Sequence, residues 1–183
     1  MLNLGLRPGE AVALQWMDLD LDEAVVHVRR NLRKVNRVFE ITDEMKTKKS
    51  RRSLDMPPHL PDALHQHRLL QSSDRVAAGE AWDSGWPDLV FTSISGTPLD
   101  ASNLRRDFKE LTVSAGLGEW SPNELPHSCV SILSASGVRV EQIADLVGHD
   151  GTRMTAKFYR HAVTPSVDAA VGPVEELFGS RLE

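Results

Sequence analysis

The stretch at 120–161 constrains the fold most, because it divides into short helical segments separated by strong stop signals. Ser121 and Glu124 form an S-x-x-E capping box with Pro122 between them, a combination typical of a helix start. Apolar residues then follow at helical spacing until Gly137, which favours a helix end. The pattern predicts a helix from the capping box to this glycine.

Two further helices are predicted in the same stretch. The segment 140–147 has a helical pattern that ends at Gly148, and Thr152 can cap a third helix that carries Tyr159, the single tyrosine of the chain. Closely packed short helices are typical of a helix-turn-helix DNA reader. A lone tyrosine shortly after a Gly-His pair is equally compatible with a nucleophile site, so both interpretations stay open at this point.

Composition indicates a soluble globular protein. The chain has 183 residues, of which 40% are apolar and 26% charged, and Cys129 is its only cysteine. It therefore has no disulfide framework and no cysteine-rich metal site, and we predict no metal and no cofactor. It also has no signal peptide and no apolar run of about 18 residues, so we predict a cytoplasmic protein without a membrane partner. We treat residues 1–183 as a single domain.

Charge is unevenly distributed along the chain. The net charge is −5, which taken alone argues against nucleic acid. Residues 29–52, however, contain ten Lys or Arg against three Asp or Glu, a local charge of +7 that leaves −12 for the rest. Such a basic patch can bind phosphates on an otherwise acidic protein. The alternative is a solvated strand edge kept soluble by its charges.

The remaining pattern predicts an α+β fold that is mainly helical. Segments 24–28, 35–41 and 52–56 are rich in β-branched residues and predict a small three-stranded antiparallel sheet. Further helices are predicted from Pro8 to Trp16, after Pro57-Pro58 through Leu70, and over 101–115. Residues 72–87 are polar and predict a loop.

Five short motifs then follow one another in a specific order. They are GLRPGE at 5–10, KTKKSRR at 46–52, SPNELPHS at 121–128, LVGHDG at 146–151 and TAKFYRH at 155–161. In this order and spacing the chain resembles the catalytic domain of the tyrosine recombinases, also called phage integrases. The resemblance implies an integrase-type fold and a metal-free phosphoryl transfer on double-stranded DNA. It also implies a covalent 3′-phosphotyrosyl intermediate.

The resemblance assigns four catalytic positions in this chain. Arg7 would clamp the scissile phosphate, Lys46 would be the general acid, and His149 would donate a hydrogen bond to the phosphate. Tyr159 would be the nucleophile. A phenol with a pKa of about 10 needs positioning and help in losing its proton. The transition state concentrates negative charge on phosphate oxygens, which guanidinium and imidazole groups stabilise.

One motif departs from the family pattern, which is H-x-x-R followed by H-[TS]. Here Asn123 stands at the first position and Pro126 replaces the second catalytic arginine. Losing such a guanidinium can slow phosphoryl transfer by about 10³–10⁵-fold. We expect Pro126 to be the fifth helical residue, where proline strains a helix, and His127 to point to another side. The sequence therefore predicts an impaired recombinase.

The resemblance also bears on partners. We predict double-stranded DNA as the partner and no small-molecule substrate, with contacts from Lys48, Lys49, Arg51, Arg52, Arg105 and Arg106. We expect a homo-oligomer on DNA, and the segment around Leu177 is one candidate for the contact between its subunits. We also expect the chain to lack the family's N-terminal core-binding domain. The alternative functions are a non-catalytic DNA-binding protein and a helix-turn-helix-type regulator.

Overall fold

A computed structural model describes residues 1–43 and 51–149 together with Thr152 and Thr155. Its helices are α1 Pro8–Val12, α2 Leu60–Ala78, α3 Ala101–Ser114, α4 Glu124–Ala135 and α5 Val140–Val147. Its strands are β1 Leu19–Asp20, β2 Val25–Val28, β3 Asn31–Val35, β4 Val38–Thr42 and β5 Arg52–Asp55. The predicted α+β class, mainly helical with a small antiparallel sheet, is confirmed.

The strands form a three-stranded antiparallel sheet in the order β1-β2-β5 and a separate hairpin of β3 and β4. The predicted strand 35–41 is therefore wrong in its bounds, because it runs across the turn of this hairpin. Asn36 and Arg37 form that turn with φ values of 49° and 68°. A two-residue turn with positive φ at both central residues matches the twist of the flanking strands. Asparagine tolerates a positive φ better than most residues.

Two helix predictions are corrected. α1 begins at Pro8 as predicted but ends at Val12 rather than Trp16, and α2 continues to Ala78 through part of the predicted loop 72–87. Ser72 and Ser73 remain compatible with the helix because their hydroxyls donate to carbonyls one turn earlier. No residue of α2 is fully buried, so hydrophobic periodicity could not mark where it ends.

The predicted helices at 101–115 and 140–147 are confirmed. α3 begins after Asp100, whose carboxylate accepts bonds from the Ser102 and Asn103 amides, and it ends at Ser114. α5 has the predicted bounds and ends at Gly148, which adopts φ 66°. In both cases a cap or a stop residue adjoins a clear helical pattern.

The main apolar core lies between α1 and the sheet, and α5 is packed against the segment before α1. Gly5 makes this approach possible, since it has φ 60° and an added Cβ would lie 2.7 Å from Val147 Cγ1. α4 packs on α5 through Val130 and Ile143. The beginning of the chain is thereby held beside the end of α5, where His149 follows.

In the part of the chain that the structure describes, no helix is long and apolar enough to cross a membrane. The same residues contain no group of three or more His, Cys, Asp or Glu side chains arranged to hold a metal ion.

Candidate active site

The start of α4 differs from the prediction. Ser121 N donates to Glu124 Oε2 at 2.6 Å, as a capping box requires, but the α-helix begins only at Glu124. A tighter turn precedes it, in which Leu125 N donates to Pro122 O at 3.4 Å. Pro126 is therefore the third helical residue. The first amides of a helix have no acceptor within it, so the predicted strain at Pro126 is wrong.

One face of this helix start lines a cleft of about 280 Å³. Its residues are Asn123, Pro126, His127 and Val130, which are spaced i, i+3, i+4 and i+7. The expectation that His127 points elsewhere is wrong, because His127 lies four residues after Asn123 and shares its face. The helical spacing in the sequence is the signal that could have identified it.

The opposite wall brings the predicted Arg7 and His149 together. Gly5, Arg7, Val147 and His149 line this side of the cleft. Arg7 immediately precedes α1, and His149 immediately follows the stop residue of α5. The close approach at Gly5 explains why two residues from distant parts of the sequence face one small space.

Glu10 orients Arg7 toward this space. Arg7 Nη1 donates to Glu10 Oε1 at 2.9 Å, and the Arg7 amide donates to Glu10 Oε2 at 3.0 Å. The Glu10 side chain is 3% exposed whereas that of Arg7 is 44% exposed. The guanidinium is thus held at one end while its remaining N–H groups can reach the cleft.

Arg52 reaches the same carboxylate from β5. Its Nη2 donates to Glu10 Oε2 at 2.9 Å and its Nε donates to Leu146 O at 2.6 Å. The side chain is only 6% exposed. This interior position does not fit the predicted direct contact with DNA, and it indicates that Arg52 joins α1, β5 and α5. Sequence reasoning missed the role of Glu10, although the R-x-x-E spacing in GLRPGE was the available signal.

His149 is fixed through both its backbone and its ring. Its amide donates to Ala144 O at 2.9 Å, and its Nδ1 lies 2.8 Å from Thr155 Oγ1. Thr155 is fully buried, so the hydroxyl cannot exchange this bond for bulk water. When the hydroxyl donates to Nδ1, Nε2 carries the ring proton and can donate to an anion.

The surroundings of His149 favour the neutral imidazole. Burial lowers its pKa below the ordinary 6.5, the positive charges of Arg7, His127 and Arg52 lower it further, and Glu10 opposes them. The ring is therefore neutral at pH 7. One guanidinium and a neutral imidazole donor, set in a partly enclosed cleft, form an arrangement that can bind a phosphate group.

Of the other predicted DNA-binding residues, the described Arg51, Arg105 and Arg106 do not line the cleft. Lys46, Lys48, Lys49 and Tyr159 are outside the described residues, as are the residues around Leu177. Arg51 is exposed and donates to Asp43 O at 2.9 Å. Arg105 and Arg106 lie on the exposed surface of α3, where Arg106 pairs with Asp107 at 2.9 Å.

Much of the basic stretch at 29–43 is compensated by carboxylates. Asp18 pairs with Arg30 at 2.8 Å. Lys34 pairs with Asp100 at 2.6 Å. A second groove of about 600 Å³ borders this region, and Arg37 and Asn123 are among its lining residues. Asn123 therefore lies where this groove meets the candidate active site.

The chain is similar in sequence to known proteins. The sequence model of the phage integrase family matches residues 1–164. An integrase from Streptomyces ambofaciens is 41% identical over 138 residues, which cover 74% of this chain and 35% of the relative. A tyrosine recombinase XerC-like protein from Caldanaerobacter subterraneus subsp. tengcongensis is 30% identical over 186 residues, covering 95% and 47%. The chain thus spans half or less of these relatives' length.

Solved structures share the fold. The Tn1549 transposon integrase in complex with transposon right-end DNA has a TM-score of 0.77 and 21% identity, covering 98% of this chain and 56% of that one. The XerA recombinase has a TM-score of 0.67 and 22% identity, covering 99% and 56%. Because the family match spans most of the sequence and includes both walls of the cleft, the chain belongs to the phage integrase family.

Proposed function

We propose that residues 1–183 form a catalytic domain that cleaves and rejoins double-stranded DNA in site-specific recombination. Tyr159 releases its phenolic proton to solvent and attacks the scissile phosphorus, the bond to the 5′-oxygen breaks, and a 3′-phosphotyrosyl link forms. Lys46 gives the leaving oxygen its proton, while Arg7 and His149 hold the phosphate. The chemistry uses neither a metal nor a cofactor, and the working form is a homo-oligomer on DNA.

The cleft shared by Arg7 and His149 carries this proposal. Both were assigned to one phosphate from motifs far apart in the sequence, and both line the same space of about 280 Å³. The buried Glu10–Arg52 pair fixes the position of Arg7, which lowers the entropy cost of gripping the phosphate. DNA in the complex of the similar Tn1549 integrase adds support for the substrate class.

Pro126 affects the rate of DNA cleavage and leaves the fold intact. It is buried in the first turn of α4, where proline is tolerated, and it offers neither charge nor N–H to the cleft. We propose that cleavage is slow for this reason. Restoring a guanidinium by Pro126→Arg should raise the rate by about 10³-fold or more, by analogy with arginine fingers in phosphoryl transfer.

A trapping experiment tests the proposal without knowledge of the target site. The full chain is incubated with a library of nicked duplexes whose sequence is randomised around the nick, so that the cleaved end diffuses away and the covalent adduct persists. We expect adducts that resist denaturation for the wild type, more for Pro126→Arg, and none for Tyr159→Phe. Lack of any adduct with Pro126→Arg would overturn the proposal.

Pro126 also favours a second candidate, a DNA-binding protein that does not cut. In that case salt-dependent DNA binding persists while no adduct forms. Replacing Lys46, Lys48, Lys49 and Arg51 by alanine should then weaken binding and reduce its dependence on salt. The matched control is Arg139→Ala, since that exposed guanidinium pairs with Glu141 at the start of α5 and is not a predicted DNA contact. Unchanged binding in the fourfold variant would dismiss this candidate.

A further inference from the structure

We propose that His127 makes the contact with the scissile phosphate that Pro126 cannot make. This inference rests on the proposed function, because it concerns a further residue that contacts the same scissile phosphate. It assigns to His127 the role of a hydrogen-bond donor to a non-bridging phosphate oxygen. No bond is made or broken at His127, so the chemistry of the strand exchange is unchanged.

The position of His127 on α4 is the first support. Asn123, Pro126 and His127 occupy positions i, i+3 and i+4 and line the cleft together. His127 thus directly follows the position where the family has its arginine, and its exposed side chain is at the same wall. An imidazole N–H can donate to a phosphate oxygen, whereas proline has no donor there.

Electrostatics agree with this position. Burial lowers the pKa of His149 most, and the charges of Arg7, then His127, then Arg52 lower it further. His127 and His149 line the same cleft, which accounts for this influence. A phosphate held by Arg7 and His149 would consequently lie within the field of His127.

Few ionisable side chains from the described part of the chain line the cleft. Among the described residues that line it, the ionisable side chains are Arg7, His127 and His149. Arg7 and His149 already have assigned contacts. Arg52 is not among the residues that line the cleft, and its side chain is 6% exposed and donates to Glu10 and to Leu146 O.

Phosphate binding is tested by NMR of the histidine rings. The full chain, with labelled histidines, is titrated with inorganic phosphate at fixed pH against sodium chloride of equal ionic strength. We expect the His127 and His149 ring signals to shift with one common Kd, and Arg7→Ala to abolish both shifts. The exposed His65 on α2 is the matched control and should not respond.

The outcomes separate the two proposals. If His149 responds and His127 does not, the phosphate cleft stands and the role of His127 is overturned. If neither ring responds, the phosphate cleft itself is overturned, and the proposed function falls with it. A response of His65 equal to that of His127 would show unspecific binding and would also overturn the inference.

Cleavage provides the second measurement. We expect His127→Ala to reduce adduct formation by about 10²-fold, the usual effect of losing one transition-state donor. His127→Gln keeps a donor and should recover part of the rate, whereas His65→Ala should have no effect. In a Pro126→Arg background, His127→Ala should matter little because the guanidinium takes over. Equal losses in both backgrounds would contradict the inference.

Discussion

The two walls of the cleft are built in opposite ways. On the wall of Arg7, a buried carboxylate, Glu10, is shared with Arg52, and three chain segments are tied together by bonds of 2.6–3.3 Å. On the wall of α4, Asn123 and His127 are exposed and the intervening Pro126 contributes only apolar contact. The first wall holds a guanidinium in place through buried hydrogen bonds, whereas the second presents the exposed side chains of Asn123 and His127 to the cleft.

This difference has consequences for mutation. A residue that holds a buried charge cannot be replaced without leaving its partner unpaired, so changes in the first wall affect stability. A position in the first turn of a helix that holds no buried charge accepts different side chains at lower cost, so changes in the second wall affect chemistry. Pro126 is an example of the second kind, since it alters the site without disturbing α4.

The largest effect is expected for Glu10→Gln. This change leaves the guanidinium of Arg52 buried without its counter-charge, and we expect the free energy of unfolding to fall by about 3–5 kcal/mol. Urea denaturation followed by circular dichroism measures it. The control is Glu40→Gln, which removes an exposed pair with Arg33 and should cost at most about 1 kcal/mol. Equal, small losses in both variants would contradict the special role of the first wall.

A smaller effect is expected for Thr155→Val. Valine preserves the shape of the buried side chain but removes the hydroxyl from His149 Nδ1, so we expect a loss of about 1–3 kcal/mol in the free energy of unfolding. Thr155→Ser keeps the hydroxyl and should also keep the chemical shifts of the His149 ring. If the serine and valine variants disturb that ring equally, the hydroxyl does not position His149.

Asp100→Ala tests the N-terminal cap of α3, which lies outside both walls of the cleft. Its carboxylate caps α3 and bonds to Lys34, and its loss should cost about 1 kcal/mol. The pKa of Asp100 is lowered from 3.8 to about 2, and the hydrogen bond from Lys34 is the largest cause. The carboxylate thus stabilises the fold above pH 3.8, and this contribution disappears as the pH falls through about 2. An acid titration of the unfolding free energy that is identical in wild type and Asp100→Ala would contradict this.

The smallest effect concerns pH and His149. Its pKa is lowered in the folded protein, chiefly by burial, so the folded state binds fewer protons than the unfolded state. The associated stability is present above pH 6.5 and is lost as the pH falls through the lowered folded-state pKa. We expect His149→Gln to flatten the pH dependence of unfolding just below 6.5. A slope unchanged by the substitution would argue against a partly buried, neutral His149.

Local signals in the sequence predicted the elements that begin and end with strong caps. α5 follows from its pattern and Gly148, and α3 follows from the helical spacing over 101–115. The proximity of Arg7 and His149 followed from the family motifs rather than from any local pattern. These predictions concern either short-range geometry or inherited motif order.

The remaining features depend on contacts between residues far apart in the sequence, which local patterns do not predict. The Glu10–Arg52 pair joins residues 42 positions apart, and no periodicity indicates it. The end of α2 was missed because that helix buries no residue completely. His127 faces the cleft because it lies one helical turn after Asn123, a relation that its sequence neighbour Pro126 does not reveal.

The most direct measurement is the identity of the residue that becomes linked to DNA. Adducts trapped on the nicked duplex library with the Pro126→Arg chain are digested with protease and nuclease, and the modified peptide is sequenced by mass spectrometry. We predict a phosphodiester on Tyr159, formed only while Arg7 is intact. A link at another residue, or one that persists in Arg7→Ala at the same yield, would contradict the assignment of this cleft to the scissile phosphate.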